Sequence, residues 1–205
     1  FNPETFRSIT GSDTLRAVLR SMDKVLRSGL TLKLNVVAMK GVNDAELPVF
    51  LRFAGEHGVD VRFIEFMPMG SHTRWNERMF WPADSIFQSA CRLAELKPIV
   101  RTEKYSGPAR LFSVNNGKGR FGIIAPVSRH FCGACNRLRV TADGCLRACL
   151  YSDRQFPMRP VLRKLARAEE DRDGLKTKLK QILLDAVRHK PLGNMLLRAR
   201  GGDPV

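Results

Sequence analysis

A chain of 205 residues with 43% hydrophobic side chains is long enough to bury a core, as one domain or two small ones. Its 35 Lys and Arg against 20 Asp and Glu leave a formal charge of +15, which points to a polyanionic partner such as nucleic acid or nucleotide phosphate. Apolar runs such as Gly122-Ile123-Ile124-Ala125 fall far short of the roughly 20 residues that span a bilayer, and no basic-then-apolar leader opens the sequence, so the cytoplasm is the expected compartment.

The opening Asn2-Pro3-Glu4-Thr5 reads as a turn with no strand or helix before it, and with Phe1 first the chain is expected to be part of something longer. Ser12-Asp13 is a helix N-cap ahead of Leu15, Val18, Leu19, Met22, Val25 and Leu26 at helical spacing, and Gly29 suits a C-cap, which predicts a helix over 13–28. Residues 30–39 predict a buried strand interrupted by Lys33 and Asn35, two inward or end-facing polar groups. Asn43-Asp44 caps a helix ending before Gly58, and 59–67 is a second strand. Helix, strand, helix, strand at this spacing is the pattern of parallel βα units, in a doubly wound sheet or a barrel.

After Pro68-Met69-Gly70 the pattern changes to a loop holding Trp75 and Trp81, then a helix over 82–96, so a domain boundary is expected near 70–80. Runs at 98–105, 109–115 and 119–125, separated by turns such as Asn116-Gly117-Lys118-Gly119, predict antiparallel hairpins. Ala142-Asp143-Gly144 joins 137–141 to 145–150 in a further hairpin, and helices over 158–168 and 172–189 complete the ordered part. The mixed charges of 159–200 read mostly as solvated helix faces.

Four of the five cysteines, Cys132, Cys135, Cys145 and Cys149, fall within this hairpin region. In a reducing compartment such a cluster binds metal or does redox chemistry more often than it forms disulfides. Thiolates of Cys132, Cys135 and Cys149 are close enough in the predicted hairpin to converge on one centre. Counting Cys145 as well gives C-x2-C-x9-C-x3-C, the donor set of a closed structural zinc site, and strand alternation puts Cys145 and Cys149 on one face. Spacing leaves both open. Arg137 and Arg139 are expected on one strand face, about 7 Å apart, with Leu138 and Val140 pointing the other way. Two guanidiniums so placed suit a polyphosphate or a purine edge. Lys33 in its apolar strand must be paired, exposed at an end, or bound to a ligand. Glu65 and Met67 lie near the C-terminal end of the second strand, where ligand sites gather in parallel folds, though a Met is ordinarily core filler. A basic, zinc-stabilised nucleic-acid-binding module is a competing reading of the same features, against which no nucleic-acid-binding motif is found.

Together, Asn2-Pro3-Glu4-Thr5-Phe6, Lys33-Leu34-Asn35-Val36-Val37, Lys40-Gly41-Val42-Asn43-Asp44, Arg62-Phe63-Ile64-Glu65-Phe66-Met67-Pro68 and above all Phe131-Cys132-Gly133-Ala134-Cys135-Asn136-Arg137-Leu138-Arg139-Val140-Thr141-Ala142-Asp143-Gly144 resemble the GTP 3′,8-cyclases of molybdenum cofactor biosynthesis, a radical S-adenosylmethionine family. The resemblance covers residues 1–190, and a related radical S-adenosylmethionine enzyme with an auxiliary cluster, acting on a peptide or another small molecule, is the alternative it leaves beside the nucleic-acid-binding module. It implies an α/β plus α+β fold: the C-terminal part of an incomplete (βα) TIM-type barrel in 1–72, then a smaller α+β domain in 73–205 carrying an iron–sulfur cluster.

By the same resemblance Cys132, Cys135 and Cys149 hold a second 4Fe–4S cluster with one iron free for the substrate, which favours C-x2-C-x13-C over the four-thiolate site and makes Cys145 a bystander. Lys33, Arg137, Leu138 and Arg139 are implied GTP contacts, and Met67 a contact of S-adenosylmethionine in place of a packing role. The family converts GTP to 3′,8-cyclo-7,8-dihydro-GTP by 5′-deoxyadenosyl radical chemistry at a first 4Fe–4S cluster, and its product passes to cyclic pyranopterin monophosphate synthase. GTP and that enzyme are the implied partners, a homodimer is an expected assembly, and neither membrane nor nucleic acid is expected. Two departures stand out. The family's first cluster uses a C-x3-C-x2-C, whereas Cys91 is the remaining cysteine here, so this chain is not expected to cleave S-adenosylmethionine. Gly201-Gly202 is followed by Asp203-Pro204-Val205, unlike the family's Gly-Gly tail, and the chain is expected to be cut at both ends.

Overall fold

The computed structural model describes residues 1–68, 75–100, 107–129, 131–167 and 171–191, which fall into two compact units, residues 1–129 and 130–205. The first begins with a helix where a turn was expected. In α1 (Pro3–Thr10) the Asn2 side chain accepts the backbone N–H groups of Glu4 and Thr5 at 2.8 and 3.1 Å, and Pro3 opens the first turn. Asn-Pro serves turns and helix starts alike, because an N-cap Asn and a preset proline φ suit both.

Helix α2 (Leu15–Arg27) precedes β1 (Lys33–Ala38), α3 (Leu47–His57) follows a short 3-10 turn, and β2 (Asp60–Glu65) ends the second βα step. Then come α4 (Ala83–Cys91), β3 (Leu96–Pro98), β4 (Arg110–Val114) and β5 (Arg120–Ile124). One mixed sheet unites all five strands in the order β1-β2-β5-β4-β3, parallel from β1 through β2 to β5 and antiparallel from β5 through β4 to β3. The β4–β5 hairpin forms as predicted. Its second edge, however, joins β2, so the segment after the expected boundary at 72 belongs to the same compact unit as the segment before it. Helix α4 stops at Cys91, which frees residues 96–98 for β3. The expected strand run over 98–105 lies in part outside the described residues.

The core of this unit sits between the sheet and α3 and α4. Val61, Phe63, Phe121, Ile123 and Phe112 meet Leu47, Leu51, Ala54, Ile86 and Ala90, all buried. Full burial of each large side chain stabilises by about 1.5–3 kcal/mol. Gly119, just before β5, lets the chain pass against α3: a Cβ there would stand 2.1 Å from the Ala54 carbonyl oxygen. Strand β1 is not buried as expected. It pairs with β2 on one side alone among the described residues, so Lys33, Asn35 and Val37 are exposed while Ala38 is buried.

In the second unit β6 (Arg139–Val140), β7 (Cys145–Arg147) and β8 (Phe156–Pro157) form a small antiparallel sheet, followed by α5 (Arg159–Ala166) and α6 (Arg172–Arg188). Leu146, Ala148, Met158 and Ala186 make its core, with Phe156, Leu179 and Ile182 packed on them. The turn into β7 needs Gly144, whose φ is 81° and whose Cβ would meet that of Arg159 at 2.7 Å. No described helix of either unit is long and apolar enough to cross a membrane.

Candidate thiolate and anion site

In the first unit the residues singled out lie at opposite ends of the parallel pair. Lys33 opens β1 in register with Asp60, the first residue of β2, whereas Met67 follows the last residue of β2 by two. Lys33 is thus exposed at the N-terminal end of its strand, away from the end at which ligand sites were expected. Beside it the buried Asp60 carboxylate accepts from Arg62 at 2.9 Å and from Arg120, which absorbs two neighbouring positive charges. Met67 is half-buried outside the core. The strand end before it is firmly held: the fully buried Glu65 carboxylate accepts the backbone N–H groups of Ala83, Val127 and Ser128 at 2.8, 2.8 and 2.9 Å, and the Ser128 hydroxyl. A carboxylate fully removed from water is tolerable with that many donors.

In the second unit Cys132 and Cys135 bracket one 3-10 turn (Cys132–Ala134), closed by the Cys135 N–H on the Cys132 carbonyl at 3.2 Å. The chain leaves Cys135 extended into β6. The Arg137 guanidinium lies over the Phe131 ring, 5.7 Å from its centroid, in cation–π contact. The strand expected over 137–141 shortens to Arg139 and Val140, so Arg137 precedes it rather than sharing its face with Arg139. Leu138 and Val140 are 39% and 63% exposed, because this edge strand has no apolar layer beneath it. Arg139 stands opposite Arg147, whose own guanidinium turns away to the Ser152 carbonyl at 2.6 Å and to Asp153 at 3.5 Å. That bond braces the loop carrying Cys149, since the Ser152 N–H also reaches the Cys149 carbonyl at 3.4 Å.

Cys145 sits differently. Thr141 straps the hairpin, its hydroxyl donating to the Cys145 carbonyl and accepting the Cys145 N–H, both at 3.0 Å. The Cys145 thiol donates to the Asp143 carboxylate at 3.4 Å. Desolvation and this hydrogen bond with its negative charge push the Cys145 thiol above its usual value, while Thr141 and Cys145 hold the Asp143 carboxyl below the usual carboxylate range. Cys135 is shifted the opposite way. Burial raises its thiol pKa, but a hydrogen bond from the Arg137 backbone and the positive charges of Lys190 and Arg137 outweigh burial and hold it low.

The four thiols of this unit are free and half-buried. Such a donor set suits a soft, thiolate-bound centre, although among the described residues no three His, Cys, Asp or Glu side chains are gathered closely enough to hold an ion. Ligation itself does the gathering in many small metal-bound units, where binding energy is also folding energy. Sequence reasoning missed Lys190, whose ammonium donates to the Cys135 and Arg137 carbonyls at 2.8 and 2.7 Å. It lay among the charges ascribed to a solvated helix face. Glu65 was noticed for its position but not as an anchor; the available signal was a lone carboxylate in an apolar strand.

The family model Molybdenum Cofactor Synthesis C matches residues 59–196. The GTP 3′,8-cyclase of Listeria monocytogenes serotype 4b is 41% identical over 192 residues, 92% of this chain and 54% of the relative. Those of Desulforamulus reducens and Alkaliphilus oremlandii are 40% and 38% identical over 191 and 197 residues, covering 93% and 96% of this chain and 56% and 57% of theirs. The chain spans about half the length of the curated relatives it matches.

Proposed function

The chain belongs to the Molybdenum Cofactor Synthesis C family, and from that premise we propose that it is the substrate-holding C-terminal part of a GTP 3′,8-cyclase. In this reading the parallel steps β1-α3-β2 are the last βα units of a partial TIM-type barrel, the remainder is the smaller domain, and the compartment is the cytoplasm. Cys132, Cys135 and Cys149 hold a 4Fe–4S cluster, which when bound supplies one iron free to take the purine. Arg137 and Arg139, with the Leu138 backbone between them, hold GTP through its anionic groups, and Lys33 adds a further cation. Met67, at the end of β2, contacts S-adenosylmethionine. The activity belongs to the longer enzyme, with its own first cluster. Its product goes on to cyclic pyranopterin monophosphate synthase, and the enzyme works as a homodimer.

The observation that carries this reading is the contrast between two thiols of one unit. Cys135, inside the C-x2-C turn and beside Arg137, has its thiol pKa lowered by the positive charges around it, whereas the Cys145 thiol donates to Asp143 and has its pKa raised. A four-thiolate zinc site would require the second as much as the first. After anaerobic reconstitution the expected content is about four irons and four sulfides. Cys132→Ala, Cys135→Ala or Cys149→Ala should lose it and Cys145→Ala should not. One zinc per chain, lost on Cys145→Ala, would overturn the proposal.

A further inference from the structure

The geometry points to Lys190 as a positioning residue for the anion site: from the far end of the second unit it sets the path of the chain between Cys135 and Arg137. This rests on the reading of Arg137 as a phosphate-binding side chain. Lys190 follows α6 by two residues and is half-buried. Its ammonium spans to segments 55 and 53 residues earlier and bonds the carbonyls on either side of Asn136. A lysine at a helix C-terminus ordinarily serves the last carbonyls of that helix. This one serves two carbonyls of another segment.

The spacing of those carbonyls gives the contact its effect. In an extended chain the carbonyls of residues i and i+2 point to one side, so a single cation bridging them fixes the intervening torsions, and here the same ammonium also hydrogen-bonds the Cys135 thiol. With the backbone so tied, the Arg137 guanidinium is left to the Phe131 ring, at 5.7 Å, and to whatever anion arrives. An ammonium has three donors: two are spent on these carbonyls and the Cys135 thiol is within reach of the same group. No fold-level role competes strongly, since the core of this unit is built from Leu146, Ala148, Met158 and Ala186. Lys190 thereby couples the end of α6 to the approach of β6, and a pre-set Arg137 loses less freedom when a phosphate binds.

The test is a double-mutant cycle in the intact, reconstituted protein, with GTP affinity read by equilibrium dialysis and backbone amide exchange over 131–139 read without GTP. Lys190→Met is expected to weaken GTP binding roughly tenfold, and the pair Lys190→Met, Arg137→Ala to be little weaker than Arg137→Ala alone. Lys190→Arg, which keeps charged donors, should recover most of the loss, and guanosine, which lacks phosphates, should bind all variants alike. Exchange over 131–139 should rise in Lys190→Met while Leu146 stays protected. Additive losses in the cycle, or exchange over 131–139 that does not change, would overturn the assignment. Unchanged GTP affinity in Arg137→Ala would instead remove the phosphate reading, and the exchange measurement would still decide whether Lys190 orders the segment. If Lys190→Met does not fold, Lys190→Gln, which retains a neutral donor, carries the same comparison.

Discussion

Thiols ten residues apart in one unit need not share a chemistry, because what surrounds each decides its charge. Cys135 has the Lys190 and Arg137 charges nearby, and Cys145 has the Asp143 carboxylate. For an acid such as a thiol, a lowered pKa means that the thiolate persists to lower pH, and a raised one that it forms later. In the cluster-free, reduced protein, alkylation of Cys135 by iodoacetamide should therefore reach half its plateau at a lower pH than alkylation of Cys145. Peptide mass spectrometry over about pH 6–10 measures both, and the midpoint rather than the absolute rate is diagnostic, since nucleophilicity falls with pKa. Equal midpoints would remove the electrostatic distinction. Glu65 illustrates the same dependence on surroundings: a carboxylate with four donors is an anchor, and nothing in its own identity says which donors will come.

At the scale of elements, Gly119 passes close against the backbone of the C-terminal turn of α3. Gly119→Ala should cost about 2–3 kcal/mol, read from the denaturant midpoint at unchanged slope, because the Ala54 carbonyl is backbone and cannot swing aside. Gly117→Ala, whose Cβ would come no nearer than 3.2 Å to the Val114 carbonyl, should cost less. Most elements were legible from periodicity and punctuation: Leu15 to Leu26 for α2, Gly58 for the end of α3, Asn116-Gly117 for the β4–β5 hairpin. Partnership was less legible. Hydrophobic alternation shows that β5 is a strand but not that its second edge meets β2, a pairing that depends on residues about sixty positions away. The thiolate site was legible in composition and spacing, since C-x2-C with interleaved arginines is a local pattern. Its supporting bonds were not, because Lys190 meets Cys135 only after α6 has packed on the small sheet.

The two units differ in how much holds them. The first has five paired strands and a continuous aromatic core, with Phe63 and Phe121 rings 5.7 Å apart and Phe112 and Phe121 6.3 Å apart. Among the described residues, the second has strands of two or three residues and a core cluster of four buried side chains, with Tyr151 and Val161 buried besides. A unit so thinly packed gains stability from a bound centre. Stripping iron with a chelator and reductant should raise amide exchange in β6, β7 and β8 by roughly tenfold or more and leave β1, β2 and β5 at their former rates. Equal responses in both units would show that the centre does not stabilise the second. The sheet order also bears on how the protein is made. Asp60 and Arg120 are register partners 60 residues apart, so β2 leaves the ribosome well before the strand that will cover its free edge. At about 5–20 residues per second, translation takes roughly 3–12 s to supply β5. Through that interval Val61 and Phe63 belong to an unfinished sheet, and the nascent chain depends on α3, or on a chaperone, to keep them from neighbouring chains.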